Sequence, residues 1–170
     1  MADKYFFNNA GTQKEKEATV VTTGAPDAGK ILALDSAGLL DVSVLPIGVG
    51  AEVVVAPSSE NLTAGDFVNF YNNGGVINIR KADATTNGKP ADGFVLANVT
   101  SPANATAYLI SAKNTAVSGL TVGARYYLST TPGLITATAP VTAGNIVQWL
   151  GKAKSATEFV FENTSYFELS

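Results

Sequence analysis

The run Gly24-Ala25-Pro26-Asp27-Ala28-Gly29-Lys30 fills the first seven places of G-x-x-x-x-G-K-[ST], the loop that holds nucleotide phosphates with backbone N–H groups and a lysine. A β-branched stretch, Ala18-Thr19-Val20-Val21-Thr22-Thr23, comes just before it, as a strand should. The eighth place fails. Ile31 stands where a Ser or Thr hydroxyl must reach magnesium. The following residues meet Gly38 within two turns, too soon for the helix whose N-terminus would face the phosphates. The motif also needs a parallel βαβ sheet, and the text beyond it offers only short strands and turns. The match is read as a coincidence.

Other reactive groupings are equally thin. The chain has no Cys and no His, which removes disulfides, thiolate catalysis, Cys-ligated zinc and the usual base near neutral pH. Asp66, Asp83, Asp92, Glu158 and Glu162 could in principle supply a carboxylate pair for glycoside hydrolysis. Nothing in their spacing selects two of them, so they are read as turn formers and solvated charge. Asp27, Asp35 and Asp41 lie near turns but form no D-x-D-x-D-G calcium loop. Trp149, in an apolar run, is read as core or subunit interface rather than as a sugar-stacking platform. The expectation is no enzyme, no cofactor and no metal.

The wider composition agrees with a structural part. Of 170 residues, 46% are hydrophobic but only 15% charged, well below the roughly 25% of ordinary soluble domains. A surface so poor in charge suits one partly covered by other protein. Net charge is -3, and the 11 basic residues are scattered along the text, which argues against nucleic acid as a partner. Neither a signal peptide nor a membrane span is read, so a soluble chain made in the cytoplasm is expected.

Three segments are expected. Residues 1–23 form an arm, with Tyr5-Phe6-Phe7 near its end and the charge run Lys14-Glu15-Lys16-Glu17 on an extended or briefly helical stretch. Those aromatics must either fold back or dock on a partner, and docking is the preferred reading. Residues 24–50 form a linker carrying Ile31, Leu32, Leu34, Leu39, Leu40, Val42, Val44 and Leu45, too many apolar side chains for a free connector. Packed against other copies of the chain, they could be buried at ~0.8 kcal/mol per methylene. Self-assembly with an unstable monomer is therefore expected.

Residues 51–170 read as all-β, with short runs separated by turn signals. Predicted strands include Glu52–Val55, Phe67–Tyr71, Val76–Ile79, Gly93–Val99 and Thr106–Ile110. Asn72-Asn73-Gly74-Gly75 between two of them is a tight-hairpin signal. Leu62-Thr63-Ala64-Gly65 returns 58 residues later as Leu120-Thr121-Val122-Gly123, and at that offset Gly75 meets Gly133, Ile77 meets Ile135, and Gly93 meets Gly151. A shorter spacing aligns Thr106–Ile110 with Thr157–Phe161. The reading is an antiparallel barrel or sandwich made of two similar β-units, about 62–110 and 120–161.

The run from Gly24 to Leu45-Pro46, with D-A-G-K, L-D-x-x-G and a closing L-P, resembles a connecting segment of tailed-bacteriophage capsid decoration (cement) and head-fibre proteins. Gly123-Ala124-Arg125-Tyr126-Tyr127-Leu128, then Gly133-Leu134-Ile135-Thr136 and Gly151-Lys152-Ala153, is similar to cement-protein text as well. The resemblance covers residues 20 to 165, approximately. It implies a small β-domain assembled as a trimer on a phage head, bound to the major capsid protein, with the arm stapling neighbouring capsomers. Tyr5, Phe6 and Phe7 would then be capsid contacts, and the protein a virion component assembled in the host cytoplasm. The other expectation weighed is a fibre or adhesin module whose Trp149 or Tyr126 touches host glycans.

Overall fold

The computed structural model describes residues 4–45 and 51–170, apart from the Val42 side chain. Two compact units divide the chain, Met1–Gly50 and Ala51–Ser170. No α-helix occurs among the described residues.

The first unit opens with a hairpin. Strands β1 (Lys4–Asn9) and β2 (Thr12–Glu17) pair antiparallel, from Lys4 opposite Glu17 to Asn9 opposite Thr12. Ala10 and Gly11 turn the chain with φ of 50° and 89°, the doubly positive backbone of a two-residue hairpin. The charge run is therefore extended, on β2. Beyond it, Thr19 and Leu32 form a parallel bridge: the Thr19 N–H donates to the Ile31 carbonyl and the Ala33 N–H to the Thr19 carbonyl, both at 2.9 Å. Between these ends the phosphate-loop lookalike makes only a three-residue 3-10 turn, Ala25–Asp27.

The second unit contains two antiparallel sheets. One comprises β3 (Val53–Pro57), β4 (Phe67–Asn73), β5 (Val76–Lys81), β6 (Gly93–Val95) and β7 (Asn104–Tyr108), ordered β3-β7-β6-β4-β5. The other comprises β8 (Lys113–Asn114), β9 (Arg125–Leu128), β10 (Ile135–Thr136), β11 (Ile146–Ser155) and β12 (Glu158–Phe161), ordered β8-β12-β11-β9-β10, with β13 (Tyr166–Glu168) also on β11. The predicted Asn72–Gly75 hairpin is present, its two glycines at φ 66° and 92°. The strand expected over Gly93–Val99 stops at Val95. Asn98 turns away to accept the Ala64 N–H at 2.8 Å, and Val99 pairs instead with Leu62.

The two sheets are one design used twice. Val68 pairs with Gly93 and Tyr126 with Gly151, each pair shifted by the same 58 positions. The Gly65 N–H donates to the Val95 carbonyl and the Gly123 N–H to the Ala153 carbonyl, each at 2.8 Å. Both paired glycines are needed for close approach. A Cβ on Gly93 would stand 2.7 Å from the Tyr108 carbonyl oxygen, and one on Gly151 2.0 Å from that of Val160. The last strands correspond by pairing as Ala107 to Phe159, 52 positions apart (159 less 107) where the aligned text implies 51.

The two sheets pack face to face. One face of the first sheet curls over Leu62, Val68, Ile79, Val95, Ala105 and Ala107, and a bridge from Ser58 to Ile79 draws its edges together without closing a barrel. Its other face carries Phe67 and Phe94 into the inner face of the second sheet, against Tyr126, Leu150, Phe159 and Phe161. Phe67 is the hub: its ring centroid lies 6.0, 5.6 and 5.7 Å from those of Phe94, Phe159 and Phe161. The face of the first sheet that packs on the second can be compared row by row with the outer face of the second. Across four strands of the first sheet run Val53, Tyr108, Phe94 and Phe67. The matching row of the second sheet runs Lys113, Val160, Lys152 and Arg125.

Candidate assembly surfaces

Alternation on a strand sorts side chains by face. On the hairpin, Tyr5 and Phe7 share a face with Lys14 and Lys16, while Phe6 shares the opposite one with Lys4, Glu15 and Glu17. The first face is turned inward. The Tyr5 hydroxyl donates to the Gly29 carbonyl at 3.3 Å, the Lys16 ammonium reaches the same oxygen at 3.4 Å, and Lys16 also lies 5.7 Å from the Phe7 ring centroid. Tyr5 and Phe7 are accordingly half-buried. Phe6, 75% exposed, is the aromatic left facing out, beside a Lys4–Glu15 ion pair whose hydrogen bond raises the lysine pKa. The three adjacent aromatics are thus divided between two faces.

The apolar leader follows. Asp35 bends it: its carboxylate accepts the Ala37 and Leu39 N–H groups at 2.8 and 2.9 Å, and its own N–H donates to the Leu39 carbonyl at 2.8 Å. Ile31, Leu32, Leu34, Leu39 and Leu40 are left 48% to 63% exposed around that bend. Val44 and Leu45 are half-buried, and the side chain of Val42 falls outside the described part.

The lysine of the opening motif is already engaged. Lys30 sits 2.6 Å from the Asp27 carboxylate, which also accepts the Thr23 N–H at 2.6 Å and its hydroxyl at 2.8 Å. Lys30 above all, with Thr23, holds the Asp27 carboxyl far below its usual range, and the hydrogen bond raises Lys30 in turn. This arrangement braces the turn. Three of the five candidate acids are in ion pairs: Asp66 with Lys81 at 3.2 Å, Asp83 with Lys89 at 3.1 Å, and Glu158 with Lys113 and Lys154 at 3.5 and 3.7 Å. Asp92 accepts the Phe70 N–H and the Asn69 amide, and burial pushes its carboxyl up. Among the described residues, no group of three or more acids is placed to hold a metal ion.

Tyr126, one of the two aromatics considered for glycan stacking, is buried, its hydroxyl oxygen accepting the Thr121 N–H at 2.9 Å. Trp149 is half-buried, donates its indole N–H to the Gly151 carbonyl, and carries the Arg125 guanidinium 5.4 Å from its ring centroid. The basic row Lys113, Lys152 and Arg125 escaped the sequence reading. Three residues far apart in the text become neighbours only through the pairing of four strands. The usable signal was the internal repeat, which sets Lys152 and Arg125 against Phe94 and Phe67.

No family model matches the chain, and no curated protein matches it. Among solved structures it is similar to the head fiber gp8.5 N base of bacteriophage phi29, with a TM-score of 0.46 and 15% identity. That likeness covers 68% of this chain and 99% of the other.

Proposed function

We propose that this chain is a non-enzymatic structural protein of a bacteriophage virion, decorating and stabilising the outer surface of the capsid as a homotrimer. The observation that carries this reading is the leader, whose five aliphatic side chains stand about half exposed around the Asp35 bend. Apolar area left open in this way marks a surface to be covered by protein, and three copies of one leader can cover each other. The text of residues 24–46 and 123–153 supports the virion setting, through its resemblance to cement and head-fibre proteins. In this reading the hairpin clamps neighbouring capsomers, with Phe6 as its outward anchor on the major capsid protein. Attachment then adds many weak contacts over many copies. The test is co-sedimentation of the chain with phage capsids lacking it. Phe6→Ala is expected to lose capsid binding while Tyr5→Ala, on the inward face, retains most of it. Equal binding by the Phe6→Ala protein removes the anchoring role.

A further inference from the structure

We infer that the outer face of the second sheet is a docking surface for an acidic β-sheet face of another protein. The repeat shows what this face is shaped to meet. In the first sheet the matching row, Val53-Tyr108-Phe94-Phe67, is covered by the second sheet except at Val53 on the edge, with Phe94 and Phe67 fully buried. The second sheet keeps the same strand order and the same pairing, so it offers the same twisted platform. There the platform is open, and three of its four positions carry cations. Lys152 lies directly opposite Arg125, and Val160 separates Lys152 from Lys113, so the row spans about 14 Å at the usual strand spacing.

Like charges facing each other across a ladder are unfavourable. Glu158 offsets Lys113 and Lys154 but makes no ion pair with Lys152 or Arg125. Among the described residues neither of these two has an ion-pair partner, whereas Asp66 and Asp83 neutralise Lys81 and Lys89. An acidic partner supplies what is missing. Its sheet geometry follows from the surface: strand spacing sets the distance between cations, and a facing sheet presents carboxylates at that same interval. The apolar component also favours protein. Beyond the row, Trp149 pairs with Tyr127 and Val147 with Phe167, the last 60% exposed. Aromatics together with an arginine are the composition of a protein contact, and Arg125, stacked on Trp149, is pre-positioned to grip a carboxylate with two N–H groups. This surface goes beyond the proposed capsid role, since it lies on Ala51–Ser170 and does not involve the hairpin or the leader.

The experiment measures binding of the full-length chain to surfaces carrying an alternating (Val-Glu)5 peptide, an alternating (Val-Lys)5 peptide, alginate and oligo-dT. The (Val-Glu)5 surface is expected to bind best, with Arg125→Glu and Lys152→Glu each weakening it about tenfold. Phe6→Ala should leave it unchanged, which separates this surface from the capsid anchor. Raising salt should weaken it, as exposed charges are screened beyond about 10 Å at 0.1 M. Both residues are solvent-exposed, and unchanged circular dichroism confirms that the variants fold. Lys152→Gln should weaken binding less than Lys152→Glu. Equal or tighter binding to alginate or oligo-dT assigns the face to a polysaccharide or nucleic acid and overturns the inference, as does binding indifferent to the charge reversals.

Discussion

Removing two of the exposed leader side chains tests the assembly most directly. Fully burying a Leu or Ile side chain stabilises by about 1.5–3 kcal/mol. Ile31, Leu32, Leu34, Leu39 and Leu40 have roughly half of that still to gain, since each is 48% to 63% exposed. Close packing of the five in a trimer therefore yields about 5 kcal/mol per copy, or about 15 kcal/mol per trimer. Each association step costs about 4–15 kcal/mol in lost freedom, so the leader alone holds the trimer only modestly. The double variant Leu34→Ser/Leu39→Ser forfeits about 2 kcal/mol per copy and about 6 kcal/mol per trimer. That is about 10⁴ in the overall equilibrium, and about a hundredfold in the concentration at which half the chains are assembled. Sedimentation velocity over a concentration series reads this shift. The unaltered chain should sediment as a trimer at ~10 μM, a concentration where the double variant should be largely monomeric. A native chain that runs as a folded monomer there, or a double variant that stays trimeric, refutes the reasoning. Val141→Ser, at an 87% exposed position in the other unit, serves as the control that should not move.

Phe67→Ala should cost about 3–5 kcal/mol in urea unfolding, since it empties the place where four phenylalanine rings meet, whereas Phe67→Leu should cost clearly less. Gly151→Ala should prevent β11 and β12 from pairing, because its Cβ would overlap the Val160 carbonyl at φ +134°, and amide exchange should quicken across both strands. Burial pushes the Asp83 carboxyl up, but hydrogen bonds from Thr85 and Lys89 outweigh it and leave it below 3.8. A lowered folded pKa means stability that is present above 3.8 and lost as pH falls through the folded value. Asp83→Asn should therefore weaken the fold at neutral pH and flatten its acid denaturation profile, which unfolding curves at several pH values would show. Asp92 has the opposite sign: its raised carboxyl makes acidification through its range stabilising, and Asp92→Asn should remove that gain.

Much of the β-architecture was legible because turns announce themselves locally. Asn73-Gly74 fixes a hairpin wherever it occurs between β-branched runs, and the two Leu-Thr-x-Gly turns lie in front of β4 and β9 as the text suggests. Ile31 already set the Gly24–Lys30 run apart from a phosphate loop, and the chain there makes a three-residue 3-10 turn at Ala25–Asp27. The arm was less transparent. Asn8-Asn9-Ala10-Gly11 is a weaker turn signal than Asn-Gly, and the Lys-Glu alternation after it suits an extended stretch or a brief helix until its partner strand is placed. The division of labour among Tyr5, Phe6 and Phe7 depends on strand parity, which no count of aromatics reveals. The basic row depends on long-range register: a scattered set of lysines and a clustered one look alike until the strands that carry them are ordered.

Parity also makes the hairpin a ribbon with two unlike sides, one carrying Tyr5 and Lys16 against the Gly29 carbonyl, the other presenting Phe6 with Glu15 and Glu17. Which side is which rests on the two residues at its tip. Slipping β1 by a single position would turn the ribbon inside out, sending Tyr5 and Phe7 to the exterior and Phe6 beneath. An alanine inserted between Asn9 and Ala10 should thus change which side chains the hairpin presents outward without changing any of the side chains themselves.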